Sequence, residues 1–180
     1  MKQLLKTAAV VAAFASCGAH AETFDFSYVF ADSSTVTGSL SGDLNGEFIT
    51  NISNVHVYLN GTEFSGAPLF AAAWNTTTQN WDNTQEAKVS TNAALNNFIF
   101  ADANVPTDLG VSNYLYFVND LSSAGNGVFA NNINTGQIAL DSPASGTWSI
   151  APVPLPAALP LLISGLGLLG GTARRRAASV

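Results

Sequence analysis

From Thr23 to Phe30 the chain reads TFDFSYVF, with Phe24, Phe26, Tyr28 and Phe30 alternating against Asp25, Ser27 and Val29. Successive side chains of a strand point to opposite faces, so this stretch predicts a strand with one aromatic face and one mostly polar face. Ala31-Asp32-Ser33-Ser34 supplies a turn, Thr35 to Ser41 returns, and Gly42 to Gly46 turns again. Phe48 to Asn51 and Asn54 to Leu59 read as two further strands, the second with Val55, Val57 and Leu59 on one face. Asn60-Gly61 is the strongest hairpin signal in the chain, because a type I′ turn needs positive φ at both central residues. Thr62 to Ser65 is then the returning strand.

Beyond this hairpin the pattern is less regular. Leu69 to Trp74 (LFAAAW) reads as a buried strand, and Asn75 to Asn83 as a polar loop carrying Trp81. Glu86 to Asn97 is weakly patterned. Leu95 to Ala101 and Asn113 to Val118 read as strands separated by the loop Asp102 to Ser112, and Gly146 to Ile150 as the last strand. Gly125 to Gly136 stands out only as rich in asparagine and glycine. Between Glu22 and Ala151, 54 residues are Ser, Thr, Asn or Gly, and no window sustains a helical period. The expected fold is therefore all-β, a two-sheet antiparallel sandwich-like ectodomain with strands about ten residues apart.

The ends of the chain follow other rules. Met1 to Ala21 has a basic start (Lys2, Lys6), an apolar stretch and the small-residue site Ala19-His20-Ala21, the pattern of a secretory signal peptide cut before Glu22. An alternative start is Cys17, acylated within the lipoprotein-box-like Phe14-Ala15-Ser16-Cys17. At the other end, prolines 152, 154, 156 and 160 lead into an uncharged apolar run to Gly171, followed by Arg174, Arg175 and Arg176. Eighteen or so helical residues span about 27 Å, just enough to cross a bilayer, and the arginines hold the tail on the cytoplasmic side. The expected organisation is a signal peptide (1–21), an acidic β-rich ectodomain (22–151), a C-terminal signal with one transmembrane helix (152–176) and a short tail (177–180).

The order Val153, Pro154, Leu155, Pro156, Ala157, then an apolar run, then the arginine cluster resembles the VPLPA variant of the PEP-CTERM sorting signals of Gram-negative bacteria. The resemblance implies export by the Sec machinery, transient tethering by the C-terminal helix, and processing by an exosortase that passes the ectodomain to the cell surface or matrix. Leu155 stands where the name-giving variant carries glutamate. A plain uncut tail anchor is the alternative. The strand opening FDFSYVFADSSTVTGSLSG and the closing GTWSI also resemble small PEP-CTERM ectodomains, most of which have no assigned activity.

Charge narrows the partners. All twelve acidic residues lie between Glu22 and Asp141, where Lys88 is the only lysine or arginine. With no basic patch to release counterions from phosphates, a nucleic-acid partner is not expected. Chemistry is sparse as well: the ectodomain holds one histidine, His56, and no cysteine, so no catalytic residue is assigned and no cofactor is required. Ca²⁺ is the ligand its loops could take, through Asp102, Asn104 and Asp108 in one loop, with Asp32 and Asp43 in tight turns. Of the tryptophans, Trp74 and Trp148 fall in apolar strands, whereas Trp81 falls in a polar loop and is the candidate for stacking on a sugar. The expectation is an exported, biofilm- or exopolysaccharide-associated surface protein of structural or interaction type. A carbohydrate- or Ca²⁺-binding module is the alternative, and a carboxylate-pair glycosidase a more distant one.

Overall fold

The computed structural model describes residues 21–103, 109–119, 126–142 and 144–154. It is all-β, with two antiparallel six-stranded sheets and no α-helix among the described residues. In chain order the strands are β1 (Glu22–Val29), β2 (Thr35–Asn45), β3 (Phe48–Leu59), β4 (Thr62–Glu63), β5 (Phe70–Asn75), β6 (Asn80–Asp82), β7 (Val89–Ser90), β8 (Asn97–Ala101), β9 (Tyr114–Val118), β10 (Gly127–Asn132), β11 (Gln137–Asp141) and β12 (Thr147–Pro152). The first sheet runs β12-β1-β2-β3-β4, with β7 also on β3, and the second runs β11-β10-β9-β8-β5-β6.

The alternation in β1 acts as expected: Phe24, Phe26, Tyr28 and Phe30 are buried between the sheets, with Val55, Val57 and Leu59 of β3 beside them. Phe98, Phe100, Leu115, Phe117, Val128 and Ala130 meet them from the second sheet. The Asn60-Gly61 turn has φ of 49° and 81°, the positive pair a type I′ hairpin requires. The two segments expected at 48–51 and 54–59 are one strand instead. Asn51 and Asn54, at φ 53° and 49°, bend it through irregular pairing with β2 without ending it. Asparagine tolerates the left-handed region, so β3 absorbs extra residues as bulges.

Side-chain amides complete pairings that the backbone leaves open. The β5–β8 ladder stops at Ala72 opposite Ile99. There Asn97 takes over: its Oδ1 accepts from the Trp74 N–H at 2.9 Å and its Nδ2 donates to the Trp74 carbonyl at 3.0 Å. The backbone of Asn97 exchanges two bonds with Lys88, each 2.9 Å, so one residue ties β5 to the segment leading into β7. Asn113, fully buried, plays a similar part: Nδ2 donates to Asp102 Oδ2 (2.7 Å) and Ser65 Oγ (2.9 Å), and Oδ1 accepts from the Ile133 N–H (3.0 Å).

β12 reaches further than the expected last strand, through Ala151 and Pro152, and the Val153 N–H still donates to the Thr23 carbonyl at 2.7 Å. The stiff linker expected from Ala151 is thus in part a strand. Val153 and Pro154 of the expected sorting motif are exposed, the first of them held beside the start of β1 by its bond to Thr23. Ala19, Leu155, Pro156, Ala157, the expected transmembrane helix and Arg174 to Arg176 lie outside the described residues. Among those described, no helix is long and apolar enough to cross a membrane.

Candidate interaction surface

A sandwich strand with one face on the core alternates apolar and polar. β8 and β9 do not: NFIFA and YLYFV are buried or nearly so at every position. Their second face builds a separate cluster on the outside of the second sheet, from Ala72, Trp81, Ile99, Ala101, Tyr114 and Val118, with Trp74, Leu109, Tyr116 and Phe129 packed against it.

Strand register orders this face into two rows. One runs Ala72, Ile99, Tyr116, Phe129, Leu140, and the other Phe70, Ala101, Tyr114, Asn131, Ile138. Neither row contains a charged side chain. The rings of Tyr114, Tyr116 and Phe129 lie within 15° of parallel, with centroids 5.4–6.1 Å apart, in the offset-stacked range. At the margins Phe70, Ile138 and Leu140 are 50, 60 and 53 % exposed. Asn131 donates to the carbonyls of Ser112 (3.3 Å) and Leu109 (3.5 Å), fixing the 3₁₀ turn at 109–111 over one end.

Trp81 corrects the sequence reading. Asn75 to Asn83 is not an open polar loop but a hairpin whose second strand, β6, sets Trp81 opposite Trp74. Trp81 meets Trp74 edge-on at 5.3 Å and Tyr116 at 5.7 Å, and is only 7 % exposed. Its neighbours in sequence are polar, but the short hairpin folds its ring down onto the aromatic face. Trp81 is therefore a wall of this surface and not a projecting platform.

The other expected site residues are placed as follows. Asp102 is half-buried, and its carboxylate accepts from both the N–H and the side-chain amide of Asn113. Asn104 and Asp108 lie outside the described residues. Asp32 accepts from the Ser34 N–H at 2.8 Å, and Asp43 from Asn51 Nδ2 at 2.7 Å, so both hold their own neighbourhoods together. No group of three metal-ligating side chains occurs among the described residues. His56 is on the outer face of β3, as its alternation with Val55 and Val57 predicts, and its Nδ1 lies 2.7 Å from Glu63 Oε1. A groove of about 600 Å³ is lined by Asn45, Phe48, Ile49, Thr50 and the 85–88 segment. The Glu86 carboxylate at its edge is taken up by the Asn51 N–H at 2.7 Å.

The phenols of this fold share one electrostatic property. Burial, then the neighbouring Tyr116, pushes Tyr114 up to about 12. Burial also raises Tyr116. Burial, reinforced by the bond to Asp141, raises Tyr28 further. Tyr58 is raised as well, first by desolvation and then by Glu63. A group whose folded pKa exceeds its unfolded value of 10.0 stabilises the fold fully below that pH. The contribution is lost as pH rises through the folded value. The melting temperature should therefore fall steadily from pH 10 upward. Phenolate absorbance at 295 nm should appear together with loss of near-ultraviolet circular dichroism. A smooth phenolate titration centred on pH 10 in a still-folded protein contradicts this account.

Comparison with family models, curated proteins and solved structures returns no match to this chain.

Proposed function

We propose that this protein is an exported, non-catalytic component of the cell surface or extracellular matrix, sorted by an exosortase acting on Val153 to Ala157, and that its ectodomain works by contact. The observation that carries the contact reading is the outer face of the second sheet. Twelve carboxylates against one lysine keep most of the ectodomain surface hydrated and mutually repulsive. The accessible part of that charge-free face, exposed Phe70, Ile138 and Leu140 with half-buried Tyr116 and Phe129, is where another molecule can displace water at little electrostatic cost, and exposed apolar patches mark interaction sites. The sorting reading rests on the C-terminal sequence pattern alone.

Exopolysaccharide is the partner class this face favours over Ca²⁺. The row from Ala72 to Leu140 crosses five strands. At the usual strand spacing that is about 19 Å; Ala72 and Ile99 are buried at one end, and the half-buried rings of Tyr116 and Phe129 with exposed Leu140 form the accessible part, enough for a sugar unit or two. Asp102, by contrast, already spends its carboxylate on Asn113.

The experiment has two readouts. The intact mass of the protein recovered from the surface and medium of its host should start at Glu22 and end between Pro152 and Ala157. A membrane species still carrying Arg174 to Val180 would sink the sorting reading, and a start at acylated Cys17 would make it a lipoprotein. Retention on the host's insoluble exopolysaccharide should fall about tenfold in Phe70→Asp, a half-exposed position at one end of the face. Unchanged retention in that variant removes the face from the proposal.

A further inference from the structure

Of the outermost strands, β4 and β6 have two and three residues and carry Glu63 and Asp82. β12 turns Thr147, Ser149 and Ala151 outward and ends at Pro152. Short length, charge and proline are the usual protections of a sheet edge against pairing with another chain. β11 has none of them. It is five residues long, QIALD, and pairs only with β10 among the described strands. Its one charged residue is turned away: Asp141 is 4 % exposed, with its carboxylate bonded to the Tyr28 hydroxyl and the Ala31 N–H. On the outer side stand Ile138 and Leu140, the exposed ends of the two rows.

We propose that β11 is a self-association edge, pairing antiparallel with β11 of a second copy about a two-fold axis at Ala139. Three observations select a second copy over other occupants. Antiparallel ladders match opposed residues, so a two-fold at Ala139 sets Ile138 against Leu140 of the second copy, and Leu140 against its Ile138. Both pairs are apolar and lie on one face. Gln137 falls opposite Asp141, so no two carboxylates oppose each other, in a chain where most other surfaces would bring like charges together. Finally, the row ending in Leu140 continues into the row beginning with Ile138, so the aromatic faces of the two copies join across one sheet. A two-fold contact is self-complementary and closes at the dimer.

The test is sedimentation velocity on the protein as recovered from its host, from about 1 to 100 µM, a range that brackets a micromolar Kd. A monomer–dimer equilibrium is expected. Leu140→Lys and Ile138→Lys should each weaken it about tenfold or more, at unchanged melting temperature because both positions are exposed. Register is tested in Cys17→Ser chains carrying Ile138→Cys or Leu140→Cys. A mixture of the two should form an intermolecular disulfide faster than either alone, since the opposed pair is 138 with 140. The proposal is overturned by a wild-type chain that stays monomeric across the range, by lysine variants that dimerise as tightly as wild type, by growth past the dimer, or by a monomer whose β11 edge binds only host polysaccharide. These readouts are independent of Phe70→Asp at the far end of the face, so self-association and matrix retention can fail separately.

Discussion

Replacing Trp148 with alanine is expected to destabilise the domain by about 4 kcal/mol, the middle of the range for removing a large core aromatic. Trp148 sits on the edge strand β12 but reaches into the space between the sheets. Its ring packs at 5.8 Å from Phe26, 5.9 Å from Phe98 and 5.5 Å from Phe117, touching both layers. Its Nε1 donates to the Ser90 carbonyl at 2.8 Å, tying the edge of the first sheet to β7. Trp148→Phe keeps much of the packing but leaves that carbonyl without its donor, and should cost about 1–3 kcal/mol. Urea unfolding gives the comparison: both variants should lower the midpoint, the alanine more, with little change in slope. A loss below about 1 kcal/mol in Trp148→Ala means that the ring does not bridge the layers.

Asp141→Ala is the second large effect, at about 3 kcal/mol, because it strips a buried hydrogen-bonding centre from the junction of the two sheets. The carboxylate accepts from the Tyr28 hydroxyl at 2.9 Å and from the Ala31 N–H at 3.2 Å, joining β11 to the end of β1. Tyr28 in turn accepts from the Gly146 N–H at 2.7 Å. Glycine is required there: a Cβ at position 146 would lie 2.6 Å from Tyr28 Cζ. Losing the carboxylate leaves the Ala31 N–H without that partner and removes the acceptor that orients the phenol. Asp141→Asn keeps one acceptor oxygen and should recover part of the loss. Equal destabilisation by alanine and asparagine, measured by the same unfolding assay, points to the negative charge as the essential feature and not the acceptor geometry.

How much could be read in advance differs from one sheet to the other. In β1 and β3 a single face is buried, so apolar residues alternate with polar ones, and strand, face and hairpin turn are all written locally. β10 and β11 carry no such local pattern. Their sequences, GVFANN and QIALD, look like turn and surface composition. Asn131 and Asn132 are nonetheless buried, Asn131 with its amide on the carbonyls of Ser112 and Leu109, and Asn132 with its amide on the Glu63 carbonyl. A buried asparagine is tolerated only where such partners arrive from distant chain segments, and these come from 19 to 69 residues away. The outer aromatic face did leave a trace. Consecutive apolar residues in NFIF and YLYFV mean burial on both sides of a strand, the sign by which the second layer could have been found.

The sequence by itself determined the all-β class, the aromatic inner face of β1, the Asn60-Gly61 hairpin and the acidity of the stretch between Glu22 and Asp141. Each of these depends on residues close in the chain, or on composition alone. The tertiary structure decided that Trp81 is covered, that Asp102 serves Asn113, that Tyr114, Tyr116 and Phe129 stand in parallel, and that β11 lies at the end of its sheet, paired with β10 alone among the described strands. Those outcomes depend on which strands lie side by side. Pairing partners here are up to more than a hundred residues apart, as Tyr28 and Asp141 are, and no local pattern encodes a neighbour that only folding brings.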